Sequence, residues 1–349
     1  IDIVVPSNSI GIGHEISKTF KGKLIILDKE REVIRIIFKQ ISIDIANQIS
    51  PTIEGDLKSR DFSINSIAFL FDKKCLIDPL HGITDIKSSL LKTYSELNLN
   101  DDPLRILRCF RFISELNFKL DAKLISFIKK HNEKLNLVAS ERINYEIQRI
   151  IKGVNAPKSI NLMRKFRIFH LQNSLKEHLL IDLENMTFEV LTEIEKKQFL
   201  PLFFLGQIFD AVFLEKLKFS KSDISNSKLL QKWRFKLMQK CVTQFTEIER
   251  YKLHKELEEI LPSFIFYLPQ SLRLEWITRW RDKEDKLFHP SNLVNGDVIK
   301  KQLKINDGPL LGKLLNYLSM ELAYDRLNNF NEAIYKAKLW IEQNAPKCD

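Results

Sequence analysis

Alternating runs of β-branched residues occur only in the first ninety residues of this chain. Everything after them carries helical periodicity. Ile1-Asp2-Ile3-Val4-Val5 reads as the interior of a strand. A helix over His14–Phe20 follows, then strands over Leu24–Leu27, Val33–Phe38 and Ile41–Ile45. Ile41, Ile43 and Ile45 share one face of the last strand, which puts Asp44 on the other. Pro51 marks a loop, and Gly55–Ala68 reads as the opening of a helix. Cys75–Ile77 is a short strand closed by Asp78-Pro79-Leu80-His81-Gly82. From Asp85 onward strand signals fade. Helices are expected over 103–116, 121–131, 140–152 and 158–167, then in a long series to the end. Residues 295–344 form a distinct end unit: a short helix, a Gly308-Pro309 turn, and helices around Leu311–Ala323 and Asn331–Gln343. The expected fold class is α+β, a small mixed β-sheet followed by an all-α remainder.

Composition narrows the chemistry. The 349 residues are enough for two or three domains. No apolar run approaches the ~18 residues of a membrane span. Cys75, Cys109, Cys241 and Cys348 are scattered without a CxxC, and no histidine pair has the spacing of a metal-ligand motif. That argues against a disulfide frame or a zinc site, and for a reducing, cytoplasmic setting. Neither GxGxxG nor GxxxxGK[ST] occurs, so a dinucleotide fold or a P-loop is not supported. The net charge of +10 suits a polyanion such as RNA.

The stretch Asp101-Asp102-Pro103-Leu104-Arg105-Ile106-Leu107-Arg108-Cys109-Phe110-Arg111-Phe112 reads as a helix start. Asp102 serves as cap and Pro103 sits at the first helical position. Asp102 and Arg105 are three apart and can project from one end of that helix. A carboxylate only accepts hydrogen bonds and a guanidinium only donates them. Together they match a base edge with an amino donor beside a ring-nitrogen acceptor, which cytosine and adenine have and uracil and guanine lack. The plainer alternative is a helix cap with a surface ion pair.

The order of motifs is more specific. Asp2 in a strand, Arg60-Asp61-Phe62-Ser63-Ile64-Asn65, Asp78-Pro79 with Gly82 and Asp85, Asp101-Asp102-Pro103-Leu104-Arg105, and Glu141-Arg142-Ile143 with Glu146 resemble the motif series of class II tRNA nucleotidyltransferases. These are the CCA-adding enzymes of the polymerase β superfamily, with the bacterial poly(A) polymerases as relatives. The resemblance runs from residue 1 to about 155 and resumes at Gly308-Pro309-Leu310-Leu311-Gly312, which is similar to the tail of longer members.

The resemblance implies a nucleotidyltransferase head over 1–90 and a neck over 91–155 that reads the base. A body over 156–290 and a tail over 291–349 would bind RNA. It implies template-independent addition of CMP and/or AMP from CTP and ATP to the 3′ end of tRNA, with release of pyrophosphate and with Mg²⁺ as cofactor. Hard Mg²⁺ takes carboxylate oxygens. Asp2 looks like the second aspartate of the family's Asp-x-Asp pair. The first aspartate, with a glycine-rich turn, is expected just before Ile1, so the chain is expected to lack its start and to be weakly active or inactive alone. Asp44 is similar to the third carboxylate position; the alternative is a solvent-facing strand residue. Arg60, Asp61 and Asn65 are expected at the nucleotide sugar or phosphates, or Asn65 in a local hydrogen bond. Where the family usually has two arginines before the aspartate, this chain has Ser59 before Arg60. Gly82 and Asp85 resemble the head–neck hinge.

Asp102 and Arg105 are the expected base readers. Arg108 and Arg111 either hold triphosphate or brace the neck against Glu141 and Glu146. Trp276, Arg279, Trp280 and Arg281 read either as an RNA contact or, preferred, as buried tryptophans beside solvated arginines. Only about ten residues separate Asp44 from Asp56, a segment often longer in CCA-adding members. That keeps open an enzyme that adds only CC or only A. A poly(A) polymerase and an inactive RNA-binding remnant are the rival functions. Membrane partners are not expected.

Overall fold

The computed structural model describes residues 1–169, 181–306 and 308–344; Cys348 lies outside them. Backbone contacts divide the chain into two compact units, 1–138 and 139–349.

The first unit is built on a four-stranded mixed sheet. Its strands are β1 (Asp2–Val5), β2 (Lys23–Asp28), β3 (Val33–Ile37) and β4 (Ser42–Asn47), in the order β1-β4-β3-β2. β1 runs parallel to β4; the other neighbours are antiparallel. Helix α1 (Ser9–Phe20) starts earlier than its periodicity shows, because Asn8 caps it by accepting from the Gly11 N–H. α1 covers one sheet face. There Ile34, Ile36 and Ile45 are fully buried and pack with Ile3, Val5, Ile16, Leu24 and Ile43. Burial of each such side chain stabilises by roughly 1.5–3 kcal/mol. Gly13 permits the close approach: a Cβ there would lie 1.8 Å from Ile34 Cδ1. Ile41 falls outside β4 and is exposed, so the expected face sharing holds for Ile43 and Ile45 alone.

The segment after Pro51 differs from a single long helix. α2 (Ile53–Ser59) is short, Arg60 is extended, and Ser63–Asn65 makes one 3-10 turn before strand β5 (Ala68–Leu70). β5 pairs with β6 (Cys75–Ile77). α3 (Gly82–Lys87) follows. Strand β7 (Leu90–Leu91) pairs in parallel with β8 (Lys119–Leu120), so the region after Asp85 is not wholly helical. These two-residue strands carry no alternation to read. Between them lie α4 (Glu96–Asp101) and α5 (Arg105–Leu116), and α6 (Ala122–His131) completes the unit.

Among its described residues the second unit has helices and connecting segments and no strand. α7 (Ser140–Lys152) and α8 (Ala156–Lys165) match expectation closely. α9 (Glu193–Ile208) starts at a capping box in which Thr192 and Glu195 exchange bonds. Its first turns are charged and exposed; from Phe199 on it is apolar nearly all round and buries Phe199, Phe203 and Phe204. α10 (Ala211–Lys216), α11 (Lys221–Gln239), α12 (Glu247–Leu257), α13 (Leu261–Phe264) and α14 (Gln270–Arg281) follow, and of these α11 and α13 pack directly on α9. α15 (Gly296–Leu303), α16 (Pro309–Ala323) and α17 (Phe330–Asn344) share a core of their own around Ile299, Leu314, Leu318 and Ala333. That is the end unit read from the sequence. Among the described residues, no helix is long and apolar enough to cross a membrane.

Candidate active site

On the sheet face opposite α1, one row of residues crosses three strands. Asp2 on β1 is in register with Asp44 on β4, and Asp44 with Arg35 on β3. Residues in register project to the same face, so the two carboxylates stand side by side on neighbouring strands. Arg35 donates to Asp44 twice, from Nε to Oδ1 and from Nη2 to Oδ2, both at 2.7 Å. That guanidinium holds the Asp44 carboxyl below the usual carboxylate range. Each bonded oxygen keeps a second lone pair for another partner.

Among the described residues, no three His, Cys, Asp or Glu side chains gather as a metal cage. The donor set nevertheless fits Mg²⁺. That ion is commonly held by one or two carboxylates plus substrate phosphates, with water completing its shell.

The Arg60–Asn65 segment is held from both sides. Asp61 is buried. Its Oδ1 accepts from the Phe62 N–H and from Asn65 Nδ2, each at 2.9 Å, and its Oδ2 accepts from Arg108 Nε at 2.7 Å. Asn65 therefore does make a local hydrogen bond. Arg60 donates to Asp56 Oδ2 at 3.4 Å and to the Asn65 carbonyl at 3.3 Å. Asp56 is buried as well and closes the short loop after β4 by accepting from the Ile49 N–H at 2.9 Å. Behind the segment, buried Asp85 accepts from Ser63 Oγ and from Lys92 Nζ, each at 2.6 Å. Gly82 packs so tightly there that a Cβ would lie 2.1 Å from the Ser63 carbonyl oxygen. Asp78 caps α3 by accepting from the Gly82 and Ile83 N–H groups.

The helix that carries Arg105 starts later than the sequence implies. Asp102 ends α4 and accepts from the Leu104 N–H at 3.3 Å; Pro103 and Leu104 form a turn, and α5 begins at Arg105. Arg105 Nη1 donates to the carbonyls of Ser59 at 3.0 Å and Asn98 at 3.1 Å. Burial pushes the Arg105 guanidinium below its usual range, while the charges of Asp61 and Asp102 act in the opposite sense. Arg105 thus lies within electrostatic reach of both carboxylates. Arg111 is buried in α5, 3.8 Å from Glu115 and with its guanidinium over the Phe112 ring at 4.7 Å.

In the second unit, Glu141 pairs with Lys218, which draws its carboxyl below the ordinary range. Buried Glu146 lies on the same helix. Trp276 is buried and Trp280 half-buried with its indole N–H on the Glu258 carbonyl at 2.7 Å. The arginines beside them are not merely solvated: Arg279 pairs with Asp285 and Arg281 with Glu195.

Four residues escaped the reading of the sequence. Arg35 faces Asp44 through the β3–β4 register, which the hairpin spacing encodes. Asp56 is four residues before Arg60, a helical pairing distance visible in the sequence. Lys92 bonds back to Asp85 past the end of α3, Asn98 bonds to Lys58 and Arg60 some forty residues away, and no spacing signals either.

Comparison with known proteins agrees with this arrangement. Residues 1–92 match the poly(A) polymerase head domain, and 117–173 match the "probable RNA and SrmB-binding site of polymerase A". A CC-adding tRNA nucleotidyltransferase of Synechocystis is 27% identical over 97% of this chain and 88% of its own length. A CCA-adding enzyme of Latilactobacillus sakei is 27% identical over 82% of this chain and 72% of its own. The Thermotoga maritima CCA-adding enzyme, solved in complex with tRNA, superposes with a TM-score of 0.74 at 22% identity, over 97% of this chain and 86% of that one; that likeness shows the fold. Along its length the chain is thus similar to CC-adding and CCA-adding tRNA nucleotidyltransferases, and its first 92 residues match the poly(A) polymerase head domain.

Proposed function

We propose that this protein adds CMP and/or AMP, taken from CTP and ATP, to the 3′ end of tRNA without a nucleic-acid template and releases pyrophosphate. The observation that carries this reading is the placement of Asp102 and Arg105 at the α4–α5 junction. Arg105 is anchored there on two backbone carbonyls, within electrostatic reach of Asp61. Anchored, the pair presents an acceptor and a donor at fixed separation. Asp102 accepts from the exocyclic amino group of cytosine or adenine, and Arg105 donates to the adjacent ring nitrogen. Uracil and guanine would set acceptor against acceptor and donor against donor.

Arg60, Asp61 and Asn65 form the sugar and phosphate side of the same pocket. Arg60 and Arg108 are each about one-third exposed and can meet the triphosphate. Arg111, being buried, supports the helix. Asp2 and Asp44 would hold Mg²⁺, which when bound neutralises triphosphate charge and activates the primer hydroxyl. The neck over 91–155, body over 156–290 and tail over 291–349 supply the surface for the RNA, in a cytoplasmic setting.

A narrower reading, CC addition alone, is favoured by the short connection from β4 to α2. Asp56 fastens it directly to Ile49, leaving no long flexible segment between Asp44 and Asp56. One experiment separates the readings. Full-length protein is given tRNA ending at the discriminator base, with labelled CTP, labelled ATP or both. Growth by two C residues supports the narrow reading, and growth by CCA the broad one. Long A tails point to a poly(A) polymerase, and no incorporation of either nucleotide contradicts the proposal.

A further inference from the structure

The C-terminal end of α2 is capped by residues some forty positions away. A helix leaves its last carbonyls without intrahelical donors. Here Asp56 O accepts from Ser59 Oγ at 2.7 Å and Leu57 O from the Arg60 N–H at 3.3 Å. The next three carbonyls are taken alternately by two side chains. Asn98 Nδ2 bonds Lys58 O at 2.9 Å and Arg60 O at 2.7 Å; Arg105 Nη1 bonds Ser59 O at 3.0 Å. The same Arg105 nitrogen also bonds the backbone carbonyl of Asn98. Asn98 is 6% exposed, and its Oδ1 accepts from Ser95 Oγ at 3.0 Å. Both amide hydrogens and the amide oxygen of this buried side chain are therefore committed.

We infer that Asn98 is a positioning residue that couples choice of base to choice of sugar. This rests on the proposed roles of Asp102 and Arg105 at the base and of Arg60, Asp61 and Asn65 at the ribose. Arg105 reaches the base from one end of the network. Arg60 and Asp61 leave α2 at the other end, beside the carbonyls that Asn98 grips. The distance between the two readers is set by Asn98 and not by the chain, which runs through a turn, a hairpin and α3 between them. Loosening Asn98 shifts both readers relative to each other, so neither base nor ribose is tested at the correct place.

The test is equilibrium binding of CTP, UTP and dCTP to the full-length protein and to two variants. Asn98→Asp keeps the shape but turns both donors into acceptors facing carbonyl oxygens. Ser95→Ala removes only the hydroxyl that orients the amide. Expected for Asn98→Asp is a fall of about fivefold or more in both the CTP/UTP and the CTP/dCTP preference, the effect of losing one net hydrogen bond or more. Ser95→Ala lowers both ratios together by a smaller factor, and tRNA binding stays unchanged in each. If Asn98→Asp does not fold, as judged by circular dichroism, Ser95→Ala decides alone. Ratios that stay fixed while all affinities drop by one factor would show a merely structural residue and overturn the inference. So would a change in one ratio without the other. A parent protein with no preference for CTP over UTP would instead overturn the base-reading proposal, and the coupling with it.

Discussion

Arg108 closes on Asp61 with two donors, Nε at 2.7 Å and Nη2 at 2.5 Å, across 47 residues of sequence. The carboxylate is only 7% exposed, so it needs that partner. Arg108→Ala leaves a buried anion with only the Phe62 and Asn65 donors. The expected loss is about 2–4 kcal/mol of stability, read from urea unfolding. Asp61→Asn in the Arg108→Ala background should recover part of it, because the uncompensated charge is gone. A loss under about 0.5 kcal/mol, typical of an exposed pair, would contradict this account of the pair.

Gly82→Ala tests the packing behind the Arg60–Asn65 segment. A methyl group there would sit 2.1 Å from the Ser63 carbonyl oxygen, and that oxygen is backbone. The segment or α3 has to move. A destabilisation of about 2 kcal/mol or more is expected, with weakened CTP binding, since Ser63 lies between Asp61 and Asn65. Retained stability and affinity would mean the contact is slack.

Glu195 gives a pH signature in the second unit. Arg281 and the Thr192 N–H hold its carboxyl down to about 2 from an ordinary 4.5. A folded pKa below the unfolded one stabilises above the unfolded value and is lost as pH falls. The contribution is therefore complete above about pH 5 and fades between 4.5 and 2. Arg281 is 37% exposed, so solvent screening limits the contribution to about 1–2 kcal/mol. Arg281→Ala should lower stability at pH 6 and flatten the difference between the proteins near pH 2. Identical curves would contradict it.

Asp2 and Asp44 carry the metal prediction. Chelation with EDTA should stop nucleotide incorporation by the full-length protein, and added Mg²⁺ should restore it. Asp44→Asn should reduce incorporation by about a hundredfold or more, given the several kcal/mol that metal-assisted charge stabilisation supplies. Affinity for tRNA should not change. Incorporation unaffected by Asp44→Asn would remove Asp44 from the site.

The sheet and most helices were legible because their burial is periodic. Ile34, Ile36 and Ile45 alternate with Arg35 and Asp44, and α7 carries its apolar residues at helical spacing. The Asp102–Arg105 motif stands out in the sequence, but its local structure differs by a turn. Asp102 does not cap α5: it accepts from the Leu104 N–H in the turn before the helix, and Leu104 takes the cap position with no side-chain bond. Residues 60–65 lie in the stretch that reads as the opening of a helix. Tertiary bonds to Asp85, Asn98 and Arg108 hold them out of a regular helix instead, and such partners leave no trace in local sequence. The two-residue strands at Leu90 and Lys119 were hidden for the same reason: their pairing is a long-range event.

The most direct measurement is the nucleotide choice of Asp102→Ala. Full-length protein and variant are each offered CTP, ATP, UTP and GTP, one at a time, on tRNA ending at the discriminator base, with tRNA affinity measured in parallel. If Asp102 and Arg105 stand in for a template, the variant binds tRNA as before. Its preference for C and A over U and G then collapses by about tenfold or more, the range of a lost charged hydrogen bond. An undiminished preference would show that base selection lies elsewhere and would contradict the central claim.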